Sequence, residues 1–482
     1  LPLLAAPGIS VNDFNPGIKP GYTQSYSLGF QRELNKNTAV EARYVGTHGT
    51  RLWRQNNYNE VNIFENGFLD IFKAAQNNLA IFTRANPGCV AAGNCNYGNS
   101  NLPGQVPIPI ITTAIGSSTD LTTATLLQQG QAGALANNIA FNVTRMNRLI
   151  NGNLVPSVTL PNNTKVSNYF VVNPQSGSGG AWMMTNGIDT QFHALQIEIR
   201  RRLSNGLLVQ GSYQFGKALS NAFASSAVVA AQPRTLRDLN ADKGPSPWDI
   251  RHSFKVDWLY ELPLGPGKAF LNGHVPVISK ILEGWQTGGV ARIQSGPVLL
   301  LTGGRNTFNQ FESGVTLNNI TTAQLQKLVK IRKETVCSGS SCRGVVFWLP
   351  DSIINNSLAA FEVGGKTLAD LDPNAPYIGP PTTPGQLGSR IFLYGAPQAR
   401  FDLNVVKRTR ITERTNFEAR VQFLNAFNRA NFNIGGADAN ARSIAVNSSG
   451  FGQTRSAYRD FTVSGTNDPG GRIIEFQFRL NF

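Results

Sequence analysis

Ile474-Glu475-Phe476-Gln477-Phe478-Arg479-Leu480-Asn481-Phe482 alternates an apolar with a polar side chain at every step. A helix rotates about 100° per residue and cannot gather Ile474, Phe476, Phe478, Leu480 and Phe482 on one face, whereas a strand does so with its period of two. Working back along the chain, Phe417, Ala419, Val421 and Phe423 oppose Glu418, Arg420 and Gln422. Before the turn at Thr412-Glu413-Arg414, Phe401, Leu403 and Val405 oppose Asp402 and Asn404. Phe254, Val256, Trp258 and Tyr260 oppose Lys255, Asp257 and Glu261, and a longer connection through Pro263-Leu264-Gly265-Pro266-Gly267 returns the chain near Gly284 to Ser295. His193, Leu195, Ile197 and Ile199 oppose Gln196, Glu198 and Arg200; the turn Ser204-Asn205-Gly206 then leads into Leu207, Val209, Gly211, Tyr213 and Phe215. At the start, Tyr22, Gln24, Tyr26, Leu28 and Phe30 lead through Asn35-Lys36-Asn37 to Val40, Ala42 and Tyr44, with Glu41 and Arg43 between. The pattern predicts about nine strands in hairpins with turns of about three residues.

Between the hairpins lie connections at about 54–187, 218–247, 304–397 and 428–471, so short and long links alternate strictly. The long ones carry helical patterns at Phe68 to Phe82, Leu121 to Leu135 and Thr322 to Arg332. Alternation alone does not say which face meets water. A soluble sheet buries its apolar face, and a transmembrane barrel turns that face to lipid. Strands of ten to fourteen residues, aromatic residues near strand ends (Tyr22, Trp53, Trp258, Tyr260, Phe482) and the loop asymmetry favour the barrel. The expected fold is all-β: an antiparallel transmembrane β-barrel with long extracellular loops that contain short helices. A closed antiparallel barrel needs an even number of strands, and nine left open in lipid would expose unpaired backbone groups. The sequence opens on Leu1 with no charged segment followed by an apolar one, so it reads as a fragment whose N-terminal barrel strands lie elsewhere.

Composition agrees. Of 482 residues only 15% are charged, with a formal net charge of +15, Gly at 48 and Asn at about one residue in ten. With 41% hydrophobic residues the chain has apolar surface enough to fold, and no apolar run reaches the length of a transmembrane helix. The basic residues are scattered apart from Arg200-Arg201-Arg202 and Lys327 to Lys333, so no nucleic-acid partner is expected. The second group, placed on a loop helix, could meet lipopolysaccharide phosphates, although a solvated face is the plain reading. Cys89/Cys95 and Cys337/Cys342 are two close pairs in polar loop sequence; loop disulfides in an oxidising compartment are expected, with a metal site as the alternative.

No catalytic constellation emerges, so neither an enzyme nor a cofactor is expected. His48, His193, His252 and His274 form no metal-binding pair. Gly211 to Lys217 has the spacing of a phosphate loop but alternates as a strand and continues with Ala218, and Gly365-Lys366-Thr367 lacks the first glycine. The polar faces, namely Glu41, Arg43, Glu198, Arg200, Lys255, Asp257, Glu418, Arg420, Glu475 and Arg479, mix both signs. They are the candidate lumen lining, suited to a polar plug or a hydrated path more than to a selectivity ring.

Several stretches carry a more specific likeness. Tyr22 to Arg32 with Tyr44-Val45-Gly46-Thr47-His48-Gly49, Glu65-Asn66-Gly67-Phe68, His193 to Leu207, Asp242-Lys243-Gly244-Pro245 with Asp249-Ile250-Arg251-His252, Phe423 to Asn428 and the terminal Phe482 resemble, in order, the Oar-like TonB-dependent outer-membrane receptors. The resemblance implies that residues 1–482 are the C-terminal portion of a plugged barrel of about 22 strands. It implies a place in a Gram-negative-type outer membrane, contact with its lipid and lipopolysaccharide, and energy-coupled transport of an unidentified ligand captured by the long loops. It further implies that Phe476, Phe478, Leu480 and Phe482 are read by the barrel-assembly machinery. No TonB box, plug or carboxypeptidase-like domain is visible in these residues, so the TonB energy-transducing complex would act through a plug outside them. The rival from another class is a surface interaction or adhesion barrel without transport.

Overall fold

Asn205 and Gly206 both take left-handed backbone angles, φ 52° and 78°, which is what a two-residue turn needs to match the twist of the strands it joins. They link strands Ala181–Ser204 and Leu207–Ser220 in a computed structural model of the chain, described for residues 9–176, 179–223, 232–270, 280–338, 341–412, 414–432, 434, 444–454, 457–458 and 470–482. Nine long strands pair antiparallel in chain order: β1 (Tyr22–Asn35), β2 (Thr38–Asn57), β3 (Ala181–Ser204), β4 (Leu207–Ser220), β5 (His252–Glu261), β6 (Trp285–Gln294), β7 (Gln398–Arg410), β8 (Asn416–Leu424) and β9 (Ile473–Asn481). Two of the turns are tighter than expected. Lys36-Asn37 and Asn205-Gly206 are two-residue links, because Asn35 and Ser204 stay in the ladder. Two strands are longer than the alternation suggested, with 20 residues in β2 and 24 in β3. The first long connection is therefore 58–180, not about 54–187.

Directly paired residues share a face. Phe30, Ala42, Ile197, Tyr213, Phe254, Ile293 and Ala399 form one unbroken row from β1 to β7. Val405, Val421 and Phe476 continue the same face across β7 to β9. This face is open to the outside, with Phe30 at 67% and Phe476 at 66% exposure. So large an exposed apolar surface marks contact with lipid, not water. Among the described residues no helix is long and apolar enough to cross a membrane.

The hydrophobic cores lie outside the sheet, in the long connections. Residues 58–180 fold as a helical body: α1 (Phe68–Ala85), α2 (Cys89–Ala92), α3 (Pro109–Ile115), α4 (Leu121–Gln128), α5 (Ala132–Ala140) and α6 (Val143–Asn151). They pack round Phe68, Phe72, Ile111, Leu127, Leu135 and Ile139, all fully buried. At about 1.5–3 kcal/mol per buried large apolar side chain, such a core can hold the loop in one shape. Asp120 caps α4 by accepting from the Thr123 amide at 2.8 Å, and Asn142 caps α6 the same way at Arg145. The expected single helix over Leu121 to Leu135 is two helices. Gly130 at φ 71° breaks it, and a Cβ there would stand 1.9 Å from the Thr382 carbonyl oxygen of another loop.

The second core joins residues of 299–393 with Ile434, Val446 and Phe451, and includes α7 (Thr322–Leu328) and α8 (Asp351–Phe361). The helix expected to Arg332 stops at Leu328, and a hairpin of Arg332–Ser338 with Ser341–Phe347 follows. The basic cluster Lys327 to Lys333 is thus not one helical face: Arg332 pairs with Asp351 at 2.9 Å, and Lys333 lies over the Phe432 ring.

Candidate functional site: the polar face and the loop platform above it

Opposite the apolar face, pairing aligns Gln31, Glu41, Glu198, Ser212, Lys255, Arg292 and Arg400 in a second continuous row. Arg43 lies one step along it, beside Gln196, and Arg200 lies opposite Gln210, which pairs with Asp257. Across the last strands Glu418 pairs with both Arg408 and Arg479, Arg420 faces Gln477, and Glu475 faces Gln422. All ten residues singled out as lining in the sequence therefore share one face. Glu198 accepts from Arg200 Nε and from Gln210 Nε2, and Glu418 accepts from Arg408 Nε at 2.8 Å. Alternation did not single out Arg292, Arg400 and Arg408, which continue the ladder together with Asp402, already placed on the polar side of its strand. Each is visible once β6 and β7 are extended by their own period of two.

Where the strands leave the sheet on the long-loop side, buried charges tie the loops together. Asp242 Oδ1 accepts from Arg234 Nε and Arg390 Nε, each at 2.9 Å, and Oδ2 accepts from the Arg234 amide at 2.9 Å. Arg54, fully buried at the end of β2, lies 3.8 Å from the same carboxylate and donates to the Asn221 carbonyl. Beside it Glu60 accepts from Thr235 Oγ1 and from Asn309 Nδ2, both at 2.7 Å. Asp249 accepts from the Ala218 amide and the Tyr394 hydroxyl, and burial raises the Tyr394 pKa. Buried charge of this kind persists only when paired. Asp242 and Asp249 stand within stretches quoted for the family likeness, but the Asp242 partners Arg54, Arg234 and Arg390 carry no local signal.

Two further features fix the loops. Cys89 joins Cys95 at the edge of the helical body, and Cys337 joins Cys342 across the hairpin tip. Arg237 forks onto Glu65 from a different loop, stacks over Phe64, and pulls the Glu65 carboxyl down to about 2.

Two of the histidines make side-chain hydrogen bonds to tyrosines. His193 Nδ1 meets the Tyr44 hydroxyl at 2.7 Å and His252 Nδ1 meets Tyr213 at 2.7 Å, both on the outer face. His48 lines a hollow of about 290 Å³ with Asp189 and Lys243. His274 lies outside the described residues. Gly211 to Lys217 runs inside β4, as a strand. Among the described residues no group of three or more His, Cys, Asp or Glu is placed to hold a metal ion.

Between the two loop bodies opens a cleft of about 590 Å³, within the size range of small-ligand sites. Gln128 and Gln129 from the end of α4 form one wall; Arg305, Asn318, Glu362 and Tyr377 form the other. No motif in the sequence announces it, because its walls come from chain segments far apart.

An exposed apolar belt, a polar inner face and folded loops on one side define an outer-membrane β-barrel. Residues 2–463 match the family described as Outer membrane beta barrel domain, and the chain belongs to that family. Among solved structures it is similar to the pyoverdine outer membrane receptor FpvA from Pseudomonas aeruginosa PAO1 bound to pyoverdine (10% identity, 86% of this chain and 27% of that one, TM-score 0.29). It is also similar to the outer membrane transporter YddB from Escherichia coli (6% identity, 99% and 34%, TM-score 0.33). The chain thus spans about a quarter to a third of these proteins. No curated protein matches it.

Proposed function

We propose that the chain is the C-terminal barrel portion of an Oar-like TonB-dependent receptor, which carries a ligand across the outer membrane. In this reading Glu41, Arg43, Glu198, Arg200, Lys255, Asp257, Glu418, Arg420, Glu475 and Arg479 line the lumen against a plug that lies outside residues 1–482. The long loops, at 58–180, 221–251, 295–397 and 425–472, face outward and capture the ligand. The energy-transducing complex acts through the plug, lipid and lipopolysaccharide surround the apolar face, and Phe476, Phe478, Leu480 and Phe482 are read during barrel assembly.

The observation that carries the reading is the polar row that crosses seven strands from Gln31 to Arg400 without a break. A lining of both signs offers hydrogen bonds and ion pairs to a polar body inside the barrel, while an open pore needs no such ladder. Because β1 and β9 run in the same direction, they cannot close on each other as an antiparallel pair, which supports a wall completed by further strands.

The test is to recover the full-length gene product from outer membranes and measure its binding to the periplasmic domain of TonB. The full-length protein is expected to bind and residues 1–482 alone are not. A full-length product that has no plug and is fully functional would instead establish the surface-adhesion barrel.

A further inference from the structure

Arg305 is 92% buried beside the 590 Å³ cleft, yet among the described residues its guanidinium makes no hydrogen bond. Its contacts are a loose ion pair with Glu362 at 3.5 Å and the ring of Phe361 at 5.6 Å. A guanidinium carries five donors in a planar fork suited to an oxyanion, and this one borders the cleft with those donors uncommitted to hydrogen bonds among the described residues. Burial lowers the pKa of Arg305; a guanidinium nonetheless stays charged in proteins.

Glu362 behaves as a stand-in for a missing anion. It sits just past the end of α8 at φ 56°, a left-handed position where glycine is favoured, and its exposed carboxylate is also touched by Gln129 Nε2 at 3.4 Å from the facing loop. Around the cation stand Gln128, Asn318 and Tyr377 as neutral hydrogen-bonding groups, with Leu371 as apolar floor. The cleft is therefore built round one buried positive charge whose partner is held weakly.

We infer that this inter-loop cleft is the ligand-capture site, taking a small polar ligand whose carboxylate or phosphate group displaces Glu362 and forks onto Arg305. This deepens the receptor reading and rests on it only for the purpose of capture; binding to the cleft is measured separately from TonB association.

The experiment is calorimetric titration of the full chain in detergent micelles with citrate and, separately, inorganic phosphate, on the wild type, Glu362→Gln and Arg305→Gln. Saturable binding by the wild type is expected, tightened at least tenfold in Glu362→Gln, where the internal competitor has lost its charge, and abolished in Arg305→Gln. A gain of affinity cannot arise from misfolding, which protects the test against an unstable Arg305 variant. Preference for citrate would assign a carboxylate ligand, and preference for phosphate a phosphorylated one. Equal affinity in wild type and Glu362→Gln, or no binding of either probe to both, overturns the inference whether or not the full-length protein binds TonB.

Discussion

Arg390 Nε donates to Asp242 Oδ1 at 2.9 Å across 148 residues of chain. The carboxylate is almost wholly buried and also serves Arg234 and Arg54, so one acidic side chain offsets three cations drawn from β2 and from two loops. Asp242→Asn removes the counter-charge that the three cations share. Breaking a buried pair in this way costs about 3–5 kcal/mol. The variant is expected to lose loop order while the strands persist, seen as rapid proteolysis of the loops in detergent with unchanged far-ultraviolet dichroism. Loops as protease-resistant as the wild type's would show that the tie does not hold the platform.

Tyr26 on β1 covers Gly46 on β2 so closely that a Cβ on the glycine would stand 2.1 Å from its ring. The ring also meets Tyr44 and His193, at centroid distances of 6.2 and 6.4 Å. Gly46→Ala must push the ring off this seat, an overpacking cost of about 1–3 kcal/mol. Urea unfolding from lipid vesicles should show it, and Tyr26→Ala in the same chain should recover part of the loss. Additive losses would deny the contact.

The fork between Arg237 and Glu65 gives a pH signature. The folded carboxyl titrates at about 2 against an ordinary value of 4.5, so it is depressed. Its stabilising contribution is complete above the ordinary value and falls away as pH drops from about 4.5 toward 2. Hydrogen exchange at Leu236 and the neighbouring amides should accelerate across that window, and Glu65→Gln should exchange fast at every pH. Both groups are partly open to solvent, which keeps the effect small and salt-sensitive.

What could be read from the sequence was whatever repeats with period two. Phe476 and Phe478, or Ile197 and Ile199, announce their strand without any partner in view. Asn205-Gly206 announces its turn because both residues tolerate left-handed angles. The early part of β3 did not show itself: through Trp182-Met183-Met184-Thr185-Asn186-Gly187 the alternation dissolves, and pairing with Trp53 to Asn57 decides the conformation instead. The break at Gly130 is set by Thr382 and the post of Arg390 by Asp242, each on another loop; Arg234 also reaches the Ser313 and Gly388 carbonyls of another loop, and Arg305 meets Glu362 from a distant part of its own. Long-range contacts of that kind leave no periodic trace.

Phe482 ends the chain with its side chain 97% exposed, and Phe476, Phe478 and Leu480 stand with it on the outer face. At that exposure the last ring packs on little among the described residues, so its removal has little to disturb in the finished fold. Deleting Phe482 is expected to lower the yield of membrane-inserted protein several-fold while inserted molecules unfold like the wild type. Unchanged insertion would remove Phe482 from the assembly signal.

Adjacent residues on one strand report the direction of the two faces. Ile197 lies mid-strand in the apolar row and Gln196 in the polar one, where it donates to Gln214 at 3.0 Å. A lysine facing the bilayer midplane costs about 2–4 kcal/mol, while the same charge on a hydrated wall is nearly free beyond the lost amide contact of about 1 kcal/mol. Ile197→Lys should therefore unfold from vesicles at markedly lower urea than Gln196→Lys, with both preparations requiring detergent for extraction. The reverse order would place the apolar face inside a soluble body; the polar ladder would then be an outer surface, and neither a lumen nor a plug could be argued from it.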